Sequence, residues 1–176
     1  MSAKQHHLFA VTYWLLQAAT LFMFLINGAI VLALGALLGA SVLGLLDMEV
    51  VRDLGMPVSQ IVLVGSFALL AALVSVMLLT FAIMATTRIV ESAMEGNPFV
   101  PENATRLWQI GWLLAAMEVI GWFIGPAIAG MLPQRLAQNI TFETSMVGPI
   151  GVLLVFVLAQ IFQHGTQLRA DLEGTV

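Results

Sequence analysis

Apolar residues run almost without interruption through 8–46, 58–86, 107–131 and 149–162, and polar residues gather between these runs and at both ends. An apolar run of 18 or more residues reads as a helix crossing a bilayer, because ~20 residues rising 1.5 Å each span the hydrocarbon layer. The pattern therefore predicts four spans, at about 9–37, 58–86, 107–131 and 148–166, in a single membrane domain of residues 1–176. The fold class is all-α integral membrane, a four-transmembrane-helix bundle with short cytoplasmic helical extensions. The first run is longer than one crossing needs, so 39–46 is expected to add a turn or two of helix or an interfacial segment. A secretory leader has an apolar core of only ~7–15 residues, so this run is expected to be a retained span. Tyr13 and Trp14 near its start suit the headgroup boundary.

The connections carry their own signals. Residues 47–57 (DMEVVRDLGMP) form a short, mostly acidic link with Gly55 and Pro57 as breakers. Residues 87–106 are the substantial polar segment between spans. Its first part places Ile89, Val90, Ala93 and Met94 on one helical side, Gly96 reads as a helix stop, and Asn97 and Pro98 read as a turn. Pro101 and Glu102 then restart a helix, since proline suits the first turn and an acid favours the positive end of the helix dipole. Pro126, with Gly125 and Gly130 beside it, marks a candidate kink in the third span. A loop over 132–148 holds Pro133, Arg135, Asn139 and Glu143. Past Phe162 the last helix turns polar, and Gly165 weakens it without ending it.

Composition narrows the setting. The chain is 60% hydrophobic and 9% charged, with mean hydropathy +1.00, whereas soluble domains carry about 25% charged residues. A formal charge of −4 with six basic residues argues against direct nucleic-acid binding, which needs a basic face. The absence of cysteine removes disulfides, thiolate metal sites and thiol nucleophiles. With both termini inside, the inner side holds Lys4, Arg88, Arg106 and Arg169, against Arg52 and Arg135 outside. That excess follows the positive-inside tendency, so both termini are expected to be cytoplasmic.

Glu118 is the acid inside the third apolar run. An acid there costs roughly 2.5–3.5 kcal/mol on insertion scales and turns away from lipid. Gly111, Ala115, Glu118, Gly125 and Ala129 share one helix face, a seam where another helix can approach. Asn27, Ser75 and Gln160 fall at comparable depths, so the four are expected to form a buried polar cluster. Its bland reading is interhelical glue, and its functional reading is a proton-titrating or ligand-binding site. The pairs Gly35/Gly39 and Gly121/Gly125 match the small-xxx-small pattern and are expected to pack within the chain. His6, His7 and His164 lack metal-ligand spacing, so neither a metal nor a cofactor is expected. The sequons at Asn103 and Asn139 imply glycosylation only on a eukaryotic secretory route, to which nothing in the sequence points.

Two stretches on the expected cytoplasmic side carry a resemblance. The run GNPF at 96–99, followed by PEN at 101–103 and a span opening at Leu107, resembles the middle of a bacterial membrane-protein family of unknown function. The ending, LAQIFQHGTQLRADLEGTV at 158–176, resembles that family's C-terminal signature, a last span running into a short polar helix. The resemblance implies four spans and the bacterial inner membrane. Members of the family it resembles are often encoded beside a small helix-turn-helix regulator, which implies a membrane protein that restrains or informs that regulator. Gln160 and His164 stand where the resemblance leads one to expect more charge.

Three functions follow as expectations. The first is a non-enzymatic membrane anchor or sensor whose docking surface for a cytosolic regulator comprises Arg88, Asn97, Pro98, Phe99, Glu102 and Asn103. From the tail it adds Leu168, Arg169, Asp171, Leu172 and Glu173. The alternative is a small transporter, or a subunit of a transport complex, using Glu118. An intramembrane enzyme comes last, for want of a Ser/His or paired-acid arrangement. Besides the bilayer and the regulator, a second copy of the chain is an open partner.

Overall fold

The computed structural model describes residues 3–46, 51, 53–138 and 147–173, with side chains over 7–46, 51, 53–138 and 147–171. Its long helices are α1 (Ala3–Val42), α2 (Val58–Met94), α3 (Pro101–Met131) and, after the four-residue α4 (Gln134–Ala137), α5 (Val147–Glu173). No strand occurs among the described residues. Each long helix contains a stretch long and apolar enough to cross a membrane: His7–Val42, Val58–Met94, Pro101–Met131 and Val147–Asp171. The protein is thus all-α, with the expected four candidate membrane helices.

The helices outrun the predicted spans because hydropathy marks where lipid ends, whereas backbone signals mark where a helix ends. α1 continues past 37 as one helix to Val42. It closes where Gly44 adopts φ 65°. There the Leu45 amide donates to the Ala40 carbonyl at 2.9 Å and the Gly44 amide to Ser41 at 3.3 Å. α2 likewise continues past 86 to Met94, and Gly96 at φ 81° ends it with the same pair of bonds, Asn97 to Ser92 and Gly96 to Ala93. This closure needs a left-handed residue, which glycine supplies without a Cβ clash. α3 begins at Pro101 rather than 107 and continues through Pro126 to Met131.

The chain divides into two compact units. The first comprises Met1–Phe24, Leu78–Glu118 and Met146–Val176. Its buried apolar residues are Ala82, Ala104, Leu107, Ile110 and Ala159. Small side chains predominate there because lipid tails are as apolar as leucine, so helices in a membrane associate through close packing rather than hydrophobic exclusion. Gly111 gives Phe156 its seat: a Cβ at 111 would stand 2.6 Å from the ring. Trp108 and Trp112 flank that ring at centroid distances of 5.1 and 5.4 Å. Gly111 and Glu118 both meet α5, so the small-residue face of α3 is the expected helix seam within this unit.

The second unit comprises Leu25–Met77 and Val119–Ser145. Met56 and Val64 are buried in it, and Gly65 lies under Leu37, whose Cδ2 stands 2.8 Å from where a Cβ would be. Gln60 donates from Nε2 to the Met131 carbonyl at 2.7 Å. Arg135 donates to the Asp53 carbonyl at 2.6 Å while its guanidinium covers Gly55, which has φ 63°. Among the described residues the expected close packing is not found at Gly35, Gly39 and Gly121, since a Cβ at any of them would meet no atom within 4 Å beyond its own stretch of helix backbone. Spacing identifies small residues, but which glycines are used depends on where a bulky neighbour falls. Large apolar side chains such as Trp14, Leu21, Phe22, Leu32, Phe123 and Leu153 are exposed, as suits helices whose outer solvent is hydrocarbon.

Candidate functional site

The densest polar arrangement lies in the first unit, where the Gly96 turn joins α2 to α3. Asn103 sits in the first turn of α3 and is wholly buried, with 0% of its surface exposed. Its Nδ2 donates to Ser92 Oγ on α2 and to the Pro98 carbonyl in the turn at 2.8 Å. Its Oδ1 accepts from Arg106 Nη1 at 2.7 Å. Arg106 also reaches the Arg88 carbonyl at 3.4 Å, tying α3 to α2. Both amide hydrogens and the carboxamide oxygen are therefore used, as a buried carboxamide requires.

The turn is also fastened to the last helix. Phe99 stacks on Phe162 at 5.1 Å between centroids and lies against Gly165, 3.3 Å from where a Cβ would be. Arg169 donates from Nη1 to Asn97 Oδ1. Gly165 thus does more than weaken α5: its missing side chain admits the Phe99 ring. The two stretches that carry the family resemblance, 96–103 and 158–171, form a single surface. A groove of about 400 Å³ runs beside it between α3 and α5, lined by Pro101, Ala104, Trp108, Gln163, Thr166 and Gln167 among others.

The expected docking residues divide into two groups. Arg88, Phe99, Glu102, Leu168, Arg169 and Asp171 are exposed, and Asn97 and Pro98 are half-buried. Asn103 is a correction: its side chain is fully enclosed, so it shapes the surface from beneath and offers a partner nothing. Its role depends on Ser92, Pro98 and Arg106 together. No sequence signal marks that role, since its partners Pro98 and Ser92 lie five and eleven residues away. The side chains of Leu172 and Glu173 lie outside the described residues.

Of the four residues of the expected buried polar cluster, Gln160 departs from the expectation. Gln160 is exposed, because its neighbour Ala159, with 0% exposure, takes the interior position on α5. The Ser75 hydroxyl donates to the Ala71 carbonyl of its own helix at 2.9 Å. Asn27 is half-buried in the second unit with its Oδ1 shielded from the surroundings. Glu118 belongs to the first unit, and its carboxylate lies against Gly148 in the first turn of α5. The free amides of a helix start give that end a partial positive charge, a favourable place for an acid. Sequence depth alone did not reveal this pairing, because it depends on where α5 begins. Another buried hydroxyl, Ser66 Oγ in the second unit, has no hydrogen-bond partner among the described residues.

No curated protein and no solved structure matches the chain. A family model described as "Protein of unknown function (DUF2975)" matches residues 47–176. That match takes in α2 to α5, with the Gly96 turn and the tail fastened to it. The protein of four membrane-capable helices described here belongs to the DUF2975 family.

Proposed function

We propose that the chain is a non-enzymatic, multi-pass protein of the bacterial inner membrane that holds a cytosolic helix-turn-helix regulator at its cytoplasmic surface. That surface is the Gly96 turn with the end of α5, and both termini lie on the same side. The observation that carries this reading is the locked turn. Asn103 fixes it internally, and Phe99 and Asn97 fasten it to Phe162 and Arg169. A connection made only to join two spans needs no such anchoring. Here it presents exposed Phe99, Glu102, Leu168 and Asp171 on a preorganised frame, and preorganisation lowers the ordering cost of binding. The regulator as partner follows from the family resemblance. Glu118, set against the start of α5, acts in this reading as a packing group rather than a transport group.

Deleting 168–176 tests the proposal. The shortened chain is expected to insert into the membrane as before and to lose the regulator on co-purification from native membranes. Unchanged co-purification contradicts the docking surface.

A further inference from the structure

A second, larger groove lies on the first unit between α2 and α3, with a volume of about 670 Å³. That is within the range of sites that hold small molecules. At one end stand Arg88 and Arg106, and from them the wall continues over Phe81, Met84, Trp112 and Leu113. The two arginines are level with each other, since Arg106 reaches the Arg88 carbonyl. Each is five or six residues from its helix end at the Gly96 turn, about 8–9 Å along the axis. Phe81 and Leu113 lie seven residues deeper, roughly 10 Å further towards hydrocarbon. The groove is lateral: Phe81 is 50% exposed and Trp112 66% exposed. No acidic residue lines it, and among the described residues no carboxylate pairs with either guanidinium.

We propose that this groove is a binding site for an anionic phospholipid. The phosphodiester would lie between the Arg88 and Arg106 guanidinium groups, and the acyl chain along Phe81, Met84 and Trp112. The geometry meets each chemical requirement of such a ligand. Planar guanidinium donors match phosphate oxygens. Basic pockets between membrane helices on the cytoplasmic side recognise acidic headgroups. Tryptophan favours the boundary where headgroup meets chain. The Arg106 bond to Asn103 holds one guanidinium in place before the lipid arrives. A free phosphate would meet the same two arginines but leave the apolar wall uncovered.

The test reconstitutes the full chain in vesicles of equal parts phosphatidylglycerol and phosphatidylcholine, extracts it into mild detergent and counts retained lipid by native mass spectrometry. Wild type is expected to retain phosphatidylglycerol in preference to phosphatidylcholine. Arg88→Gln is expected to lower that retention about fivefold, as the loss of one interfacial basic residue implies. Ala85→Leu fills the groove beside Arg88 without altering charge, and it is expected to lower retention while the helical signal and its melting stay as in wild type. Arg135→Gln, in the second unit, is expected to retain lipid normally, and excess inorganic phosphate is expected not to displace it. Equal retention of the two lipids by wild type would overturn the proposal. So would unchanged retention in both groove variants, an equal loss in Arg135→Gln, or displacement by inorganic phosphate.

Discussion

Replacing Asn103 with alanine removes three hydrogen bonds from a site with no access to solvent. The bonds to Ser92 and Pro98 join neutral groups and are worth about 1 kcal/mol each. The bond from Arg106 involves a charged donor and is worth about 1.5–3 kcal/mol. The gross loss is therefore about 3.5–5 kcal/mol. Two effects reduce it. Alanine gains up to ~0.7 kcal/mol of helix propensity over asparagine, and the vacated space adjoins a turn where Arg106 can find other acceptors. A net destabilisation of about 2–4 kcal/mol is expected. Reversible unfolding in mixed detergent micelles measures it, and hydrogen exchange should show the amides of residues 96–100 losing protection before those in mid-helix. Ser92→Ala removes one of the three bonds and should cost about 1 kcal/mol. Unfolding of Asn103→Ala within about 0.5 kcal/mol of wild type, or a Ser92→Ala cost equal to that of Asn103→Ala, would contradict the three-bond role of Asn103.

Other perturbations probe the same frame. Gly111→Ala drives a methyl into a Phe156 ring hemmed in by Trp108 and Trp112. Overpacking of this kind costs about 1–3 kcal/mol in the same unfolding assay. Gly96→Ala places a Cβ on a residue at φ 81°, with an expected cost of about 1–2 kcal/mol. Gly121→Ala, where nothing stands within 4 Å, should leave stability unchanged or slightly raised through helix propensity. Arg169→Ala severs the exposed link to Asn97. It should shift global stability by less than about 1 kcal/mol while a spin label at Gln167 gains mobility.

The parts of this fold legible in the sequence are those set by local chemistry. Runs of apolar residues announced four helices, and Gly96, with Pro101 and Glu102 after it, announced the end of one helix and the start of the next. The parts that stayed hidden depend on a neighbour's position. Nothing around Asn103 distinguishes a surface turn residue from one enclosed by Ser92, Pro98 and Arg106. Gln160 and Ala159 are adjacent on α5, and depth along the helix cannot tell which of them faces inward. Gly35, Gly39 and Gly121 have the spacing of a packing seam, but Gly111 and Gly165 are the ones that receive rings. Glu118 was conspicuous as an acid in an apolar run, yet its setting at the first turn of α5 follows from where that helix begins. The sequence places 96–103 and 158–171 as two stretches expected on one side, and the bonds joining them depend on the folded chain.

In the proposed arrangement the Gly96 turn and the end of α5 form one surface on one side of a membrane that α3 crosses. The chain contains no cysteine, so single cysteines can be introduced at the exposed positions Glu95, Gln167 and Gln138 and labelled with an impermeant maleimide in right-side-out and inverted vesicles. Glu95→Cys and Gln167→Cys are expected to react in the same vesicle orientation and Gln138→Cys in the other. Reaction of Glu95→Cys and Gln167→Cys in opposite orientations would contradict that arrangement.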